Sequence, residues 1–373
     1  MKTQKIAIIY DWIDKWGGAE RILLTLAQMY PKADFYTSYY DAQKAPWAKD
    51  MHFRTTFISE LPKFIKSNRT ICVPLYPFAF EGLNLSTYDM VISITSSFAK
   101  SIITRPDTLH ICYMLSPTRF LWDQPEAYRT SLERFTRPTF YIKYLKYWDR
   151  IAAQRPDKII GISNIVSANI KKYYHRDSEV IYPPFDVNYW KEFKTSTPSA
   201  LRSRGEYYLV VSRLEQYKKV DLVIKTFNTL KKKLIIVGSG TQLQKLTSLA
   251  RKNITFVQKA TDEELAEYYT HAKALIMPQK EEFGYTAVEA QFFGCPVISY
   301  ATSGVTEIIE PNITGILFPN QTETSLTEAL EKFESMYYTL SRSAKIEGPR
   351  QAEKFRKDIF IKKFSQYIES NLS

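Results

Sequence analysis

Apolar residues in this chain gather in short continuous runs, separated by longer stretches in which they recur every three or four positions. The runs at 5–10, 33–39, 89–95, 109–114, 158–162 and 178–182 read as buried strands, and the periodic stretches predict helices over 18–30, around 134–154 and over 163–174. A second series begins at Tyr207-Tyr208-Leu209-Val210-Val211, with strands at 207–212, 233–237, 253–257, 273–278, 296–300 and 315–318 and helices between them. Uninterrupted apolar strands alternating with amphipathic helices imply parallel βαβ units. The fold class is therefore α/β, with two doubly wound, Rossmann-like domains. Tyr182-Pro183-Pro184-Phe185-Asp186 closes the first series, and 191–205 reads as an exposed linker.

The most informative stretch runs from Glu281 through Phe283, Gly284 and Tyr285 to Glu289, and Gly294-Cys295-Pro296-Val297 closes it. The strand at 273–278 precedes it and a helix is expected over 286–293, so the two carboxylates flank a strand-loop-helix junction, where open α/β sheets bind ligands. Glu281 falls in the loop, the amides of Phe283, Gly284 and Tyr285 open the helix, and Glu289 lies more than one turn inside. Carboxylates hold hydroxyls and helix amides hold an anion. That combination suits a sugar joined to a phosphate.

The pattern resembles the signature of glycosyltransferase family 4, two glutamates separated by seven residues. Val211-Ser212-Arg213-Leu214 followed by Tyr217-Lys218-Lys219-Val220-Asp221 is similar to the family's Arg and Lys pair, and Ile236-Val237-Gly238-Ser239-Gly240 to its glycine-rich turn. Gly304-Val305-Thr306-Glu307 and Thr314-Gly315 resemble the elements that follow. In the first half, Trp16-Gly17-Gly18-Ala19-Glu20, Pro117-Thr118-Arg119-Phe120-Leu121-Trp122-Asp123 and the run 182–186 resemble the branch that includes bacterial O-antigen mannosyltransferases. The resemblance implies a GT-B fold, with two Rossmann-like domains facing a central cleft. On that basis 1–186 is the acceptor-side domain, 187–350 the nucleotide-sugar-binding domain, and 351–373 a helix crossing back to the first domain.

The resemblance also implies the chemistry: retaining, metal-independent transfer of a hexose from a nucleotide sugar, with no cofactor. Glu281 is the carboxylate expected at the donor sugar and Glu289 the one expected at the ribose. Departure of a nucleoside diphosphate leaves negative charge on phosphate, and Arg213 and Lys218 are suited to stabilise it, Arg as a bidentate clamp and Lys as a point charge. Gly17, Gly18 and Gly238, with Phe283, Gly284 and Tyr285, are the remaining donor-binding candidates; Arg119, Asp123 and Glu307 are candidates for further substrate contacts. Glu282, beside Glu281, is expected in solvent. Leu115 stands where many relatives place a His thought to touch the sugar. Mannose from GDP-mannose, moved to a lipid-linked saccharide in cell-surface glycan synthesis, is the expected reaction. A UDP-sugar-dependent hexosyl or N-acetylhexosaminyl transferase, and a nucleotide-sugar-binding protein without turnover, are the alternatives.

Charge narrows the partners. A net charge of +12 and a pI near 9.3 favour acidic ones. The surplus is spread along the chain, which argues against a nucleic-acid arm. Residues 134–150 combine five cations with six aromatics, and with Lys63, Lys66 and Arg69 they suit an anionic membrane surface. Cys72, Cys112 and Cys295 form no disulfide framework or zinc cluster, and no D-x-D sequence appears. His52, His110, His175 and His271 fit no motif. With no run long enough to span a bilayer, a cytoplasmic protein is expected, peripheral on the inner face of the plasma membrane.

Overall fold

The computed structural model describes residues 4–123, 139–195 and 207–372. Two compact units account for them: Met1–Pro183 with Ile361–Ser373, and Pro184–Phe360. The first is built on seven parallel strands, β1 (Ile6–Tyr10), β2 (Asp34–Thr37), β3 (Phe53–Thr55), β4 (Met90–Thr95), β5 (Leu109–Met114), β6 (Lys158–Gly161) and β7 (Glu179–Val180), in the order β3-β2-β1-β4-β5-β6-β7. The second has six, β8 (Tyr208–Val211), β9 (Leu234–Val237), β10 (Ile254–Val257), β11 (Leu275–Met277), β12 (Val297–Tyr300) and β13 (Gly315–Phe318), in the order β10-β9-β8-β11-β12-β13. Every residue of β4 is buried, as expected of a central strand covered on both faces.

Each sheet starts in its middle. The chain builds outward from β1 to β3, returns to lay β4 on the free side of β1, and repeats the manoeuvre with β8, β10 and β11. The order reverses between β1 and β4, and again between β8 and β11, so each unit has a switch point where the loops leaving two neighbouring carboxyl ends diverge.

Side chains fix the helix ends. Ser163 accepts from Val166 N–H at the start of Asn164–Tyr174, and Thr261 and Glu264 form a reciprocal capping box on Asp262–His271. Among the described residues no helix is long and apolar enough to cross a membrane.

Two expectations change, and one strand was not expected. The stretch read as a linker from residue 191 begins inside a helix, Val187–Thr195, because Trp190 is a core residue whose ring packs on Phe185 and Phe293; residues 196–205 lie outside the described residues. The helix expected over 351–373 begins at Lys357, and residues 351–353 end a separate helix, Tyr337–Glu353. Between them the backbone of Phe355 and Lys357 turns aside to bond both sides of Phe185, at 2.7 and 3.0 Å. Strand β3 carries too few apolar residues to register as a buried run.

A buried imidazole makes the first unit pH-sensitive. His110 lies within β5 with Nε2 2.8 Å from the Ser93 hydroxyl of β4. Burial, helped by Arg155 and Arg176, pushes it from its ordinary 6.5 down to about 3. The folded state refuses a proton that the unfolded chain accepts, so its contribution is complete above about 6.5 and is lost as pH falls towards 3. His110→Gln should therefore show a flatter urea-midpoint profile between pH 7 and 5 than the native chain; identical profiles would contradict the assignment.

Candidate functional site

The switch point of the second unit gathers the residues that the sequence singled out there. The loop leaving β8 runs through Ser212 and Arg213 to a single helical turn, Gln216–Lys218. The loop leaving β11 runs through Gln279 and Glu281 to the helix Tyr285–Phe292. Because β8 and β11 are neighbours, Lys218 meets Glu281 although 63 positions separate them: its Nζ binds Glu281 Oε1, which also accepts from Gln279 Nε2 at 2.9 Å. Lys218 is only 8% exposed. A lysine so buried is tolerated because its charge is compensated in place.

Arg213 is exposed and donates through Nη2 to the Tyr217 hydroxyl at 2.8 Å, while the Tyr217 ring centroid lies 5.3 Å from Lys218 Nζ. One aromatic side chain thus touches both cations. Gly238 and Gly240 support them by close backbone approach. Gly238 adopts φ +144°, and a Cβ there would fall 3.0 Å from the Ser212 carbonyl carbon; one on Gly240 would fall 2.7 Å from that of Leu214. Leu214 N–H donates to Ser239 O at 2.8 Å. The glycine-rich turn is therefore a backbone support for the Arg213 loop.

The Glu281 loop is gripped from the other side. Glu281 N–H donates to Ser303 Oγ at 3.1 Å, and Gly304 N–H donates to Glu281 O at 2.7 Å. Gly304 must be glycine, since a Cβ would lie 2.6 Å from the Glu282 carbonyl carbon. Gly284, at φ +107° and against Val305, starts the helix. The first helical bonds run from Ala287 and Val288 to Gly284 O, so the amides of Phe283, Gly284 and Tyr285 lie ahead of the ladder at the positive end of the helix.

The side chains of Phe283 and Tyr285 serve as anchors. Phe283 is buried, edge-on to Tyr285 and Phe355 at 5.4 and 5.1 Å, and the Tyr285 hydroxyl donates to Pro184 O. Glu289 is 4% exposed and accepts from the Tyr269 hydroxyl at 2.8 Å. Glu282, expected in solvent, is buried, and its backbone carbonyl lies against Gly304. Glu307 is half-buried at the end of the turn Gly304–Glu307. Gln279, Ser303 and Tyr269 were missed by sequence reasoning: the first two are single polar residues in loops, and Tyr269 reads as an ordinary buried position of the helix Asp262–His271; Tyr217 stood in the Arg and Lys motif without a role.

Gly17, Gly18, Arg119 and Asp123 belong to the first unit. Gly17 precedes the helix Gly18–Met29 in extended backbone. Arg119 and Asp123 are half-buried at the two ends of the short helix Arg119–Trp122; Leu115, just past the end of β5, donates its N–H to Thr95 O. That helix is pinned by Asp149, which accepts from Thr118 Oγ1, Trp122 Nε1 and the Tyr174 hydroxyl at 2.8, 2.7 and 2.6 Å and pairs with Lys100 at 2.6 Å, the lysine being 1% exposed. The switch point of this unit is filled by Asp11. Its buried carboxylate accepts from the Thr95 hydroxyl and from the amides of Ser96, Ser97, Phe98 and Ala99 at 2.7–3.1 Å.

Comparison with known proteins fits this geometry. Residues 192–350 match the family model of the glycosyl transferases group 1, so the second unit carries that family's sequence pattern. An "Uncharacterized 41.2 kDa protein in cps region" of Klebsiella pneumoniae is 25% identical over 236 residues, 60% of this chain and 64% of the relative. The alpha-1,3/1,6-mannosyltransferase ALG2 of Mus musculus is 24% identical over 265 residues, 61% of this chain and 62% of the relative. The matches thus span a little under two thirds of these relatives' lengths. Among solved structures, Anabaena Alr3699/HepE in complex with UDP superimposes with a TM-score of 0.71 at 17% identity, covering 98% of this chain and 100% of that one. The fold is GT-B: α/β, with two Rossmann-like parallel sheets.

The grip on the Glu281 loop is testable by stability. Gly304→Ala should cost about 1–3 kcal/mol, the range for forcing atoms into a packed site. Ser303→Ala should cost about 1 kcal/mol for its lost hydrogen bonds. Urea unfolding measures both, and a Gly304→Ala chain as stable as the native one would refute the close approach.

Proposed function

We propose that the chain is a retaining hexosyltransferase acting on a nucleotide sugar, with mannose from GDP-mannose as the donor and a lipid-linked saccharide as the acceptor. The observation that carries this reading is the meeting of Lys218 and Glu281 at a switch point, beside the amino end of the helix Tyr285–Phe292. The cations and helix amides suit a diphosphate, and the carboxylate suits sugar hydroxyls. In the reaction, the bond from the anomeric carbon to phosphate oxygen breaks. The acceptor hydroxyl oxygen bonds to that carbon on the same face, and its proton passes to the departing phosphate. Glu281 holds the sugar, Arg213 and Lys218 stabilise the leaving diphosphate, and Glu289 is the ribose contact.

The mouse mannosyltransferase among the relatives supports mannose. The UDP complex of the Anabaena protein favours a UDP-sugar as the second reading. Docking on an anionic membrane fits the exposed Tyr144, Tyr147 and Ile151 along the helix Thr139–Ala152, beside exposed Lys143 and Arg150; residues 134–138 of that basic stretch lie outside the described residues.

Incubation with GDP-mannose or UDP-glucose and an acceptor extract, read by released nucleoside diphosphate, tests the reaction. Release from GDP-mannose is expected, release only from UDP-glucose would move the donor assignment, and binding without release would make the chain a binder. Glu281→Gln should lower kcat about 100-fold or more without loss of nucleotide affinity, the signature of a contact to the transferred group. Equal turnover in the mutant would remove Glu281 from the mechanism. EDTA should leave activity intact while Arg213→Ala removes it; loss on chelation with recovery on adding Mg²⁺ would overturn a diphosphate site built from fixed cations.

A further inference from the structure

Lys218 and Glu281 are bound to each other, yet the proposed reaction gives them different partners, phosphate for the lysine and sugar hydroxyls for the carboxylate. Their side chains are only 10% and 17% exposed, so solvent screens the pair weakly. Glu281 has little freedom to withdraw, since its amide is held by Ser303, its carbonyl by Gly304 and its Oε1 by Gln279. Lys218 reaches it on a flexible four-carbon stem and is the mobile member. A diphosphate entering beside Lys218 therefore meets a fixed like charge already holding the cation it needs. Sugar hydroxyls relieve that conflict, because they donate to Glu281 in place of the ammonium.

We infer that Lys218 exchanges partners during turnover: Glu281 and the diphosphate compete for its ammonium, so the intact nucleotide sugar is accommodated while the bare nucleoside diphosphate left after transfer is expelled as Lys218 returns to Glu281. The inference rests on the nucleotide-sugar reading above. It gives Glu281 a second task, lowering affinity for the product.

Calorimetric titration of the full chain with GDP and UDP tests it. Glu281→Gln keeps the shape and removes the competing charge, so the nucleoside diphosphate that the native chain binds should bind about fivefold tighter or more, the usual scale of coupling between sites. The intact nucleotide sugar should gain less, since it loses a carboxylate contact in the same mutant. Glu281→Asp, which draws the carboxylate back by one methylene, should also tighten diphosphate binding and serves if the Gln variant does not fold. Unchanged or weaker binding in these variants, with normal binding by the native chain, would overturn the exchange alone. A native chain that binds neither GDP nor UDP would overturn the nucleotide reading, and the exchange with it.

Discussion

Parallel pairing forbids a tight turn between neighbouring strands, so every connection must cross back over the sheet, and a chain that starts in the middle of its sheet must reverse direction once to complete it. Both units do this, between β1 and β4 and between β8 and β11. The reversal leaves two loops diverging from adjacent carboxyl ends, with backbone amides and charged side chains facing one another. Everything distinctive about this chain is an answer to what fills that gap.

The two gaps are filled differently. In the first unit Asp11 takes the gap with its own carboxylate and saturates it with four amides and a hydroxyl, which fixes the loop after β4. Hydrogen bonds to a charged acceptor contribute about 1.5–3 kcal/mol each, so this loop is held firmly. In the second unit the gap holds Lys218 against Glu281. A carboxylate enclosed by amides has no further ligand to seek, whereas an ion pair can trade either member for a better partner. Lys100 and Asp149 also pair, but deep in the first unit with Thr118, Trp122 and Tyr174 around the carboxylate. Theirs is an anchoring role.

Backbone contact sets the precision of the second site. Gly304 lies on the Glu282 carbonyl, Gly238 on Ser212 and Gly240 on Leu214. Each is a place where a side chain would push a loop away from its neighbour. These contacts explain how loops rich in polar residues hold the backbone of Lys218 and the carboxylate of Glu281 in place, with only the single helical turn Gln216–Lys218 beside them.

The order of strands and helices was legible because burial on both faces demands apolar runs, and β1 and β9 satisfy that demand without a polar residue in the bare sequence. The glycine-rich turn at 236–240 was legible too, as a turn. Elements held by a few specific contacts were not. The helix Val187–Thr195 depends on the packing of Trp190, and the break after Glu353 exists because Phe355 and Lys357 bond to the Phe185 backbone. Glu282 reads as a solvated charge from its neighbours in sequence, yet the fold buries it. The sequence by itself determined two α/β sheets, the residue types at each loop and the presence of cations and carboxylates suited to a phosphorylated sugar. Which charges meet was decided only by tertiary structure, because the encounter of Lys218 with Glu281, like that of Asp11 with Ser96 to Ala99, follows from which strands lie side by side, and that neighbourhood is written in no local stretch of the chain.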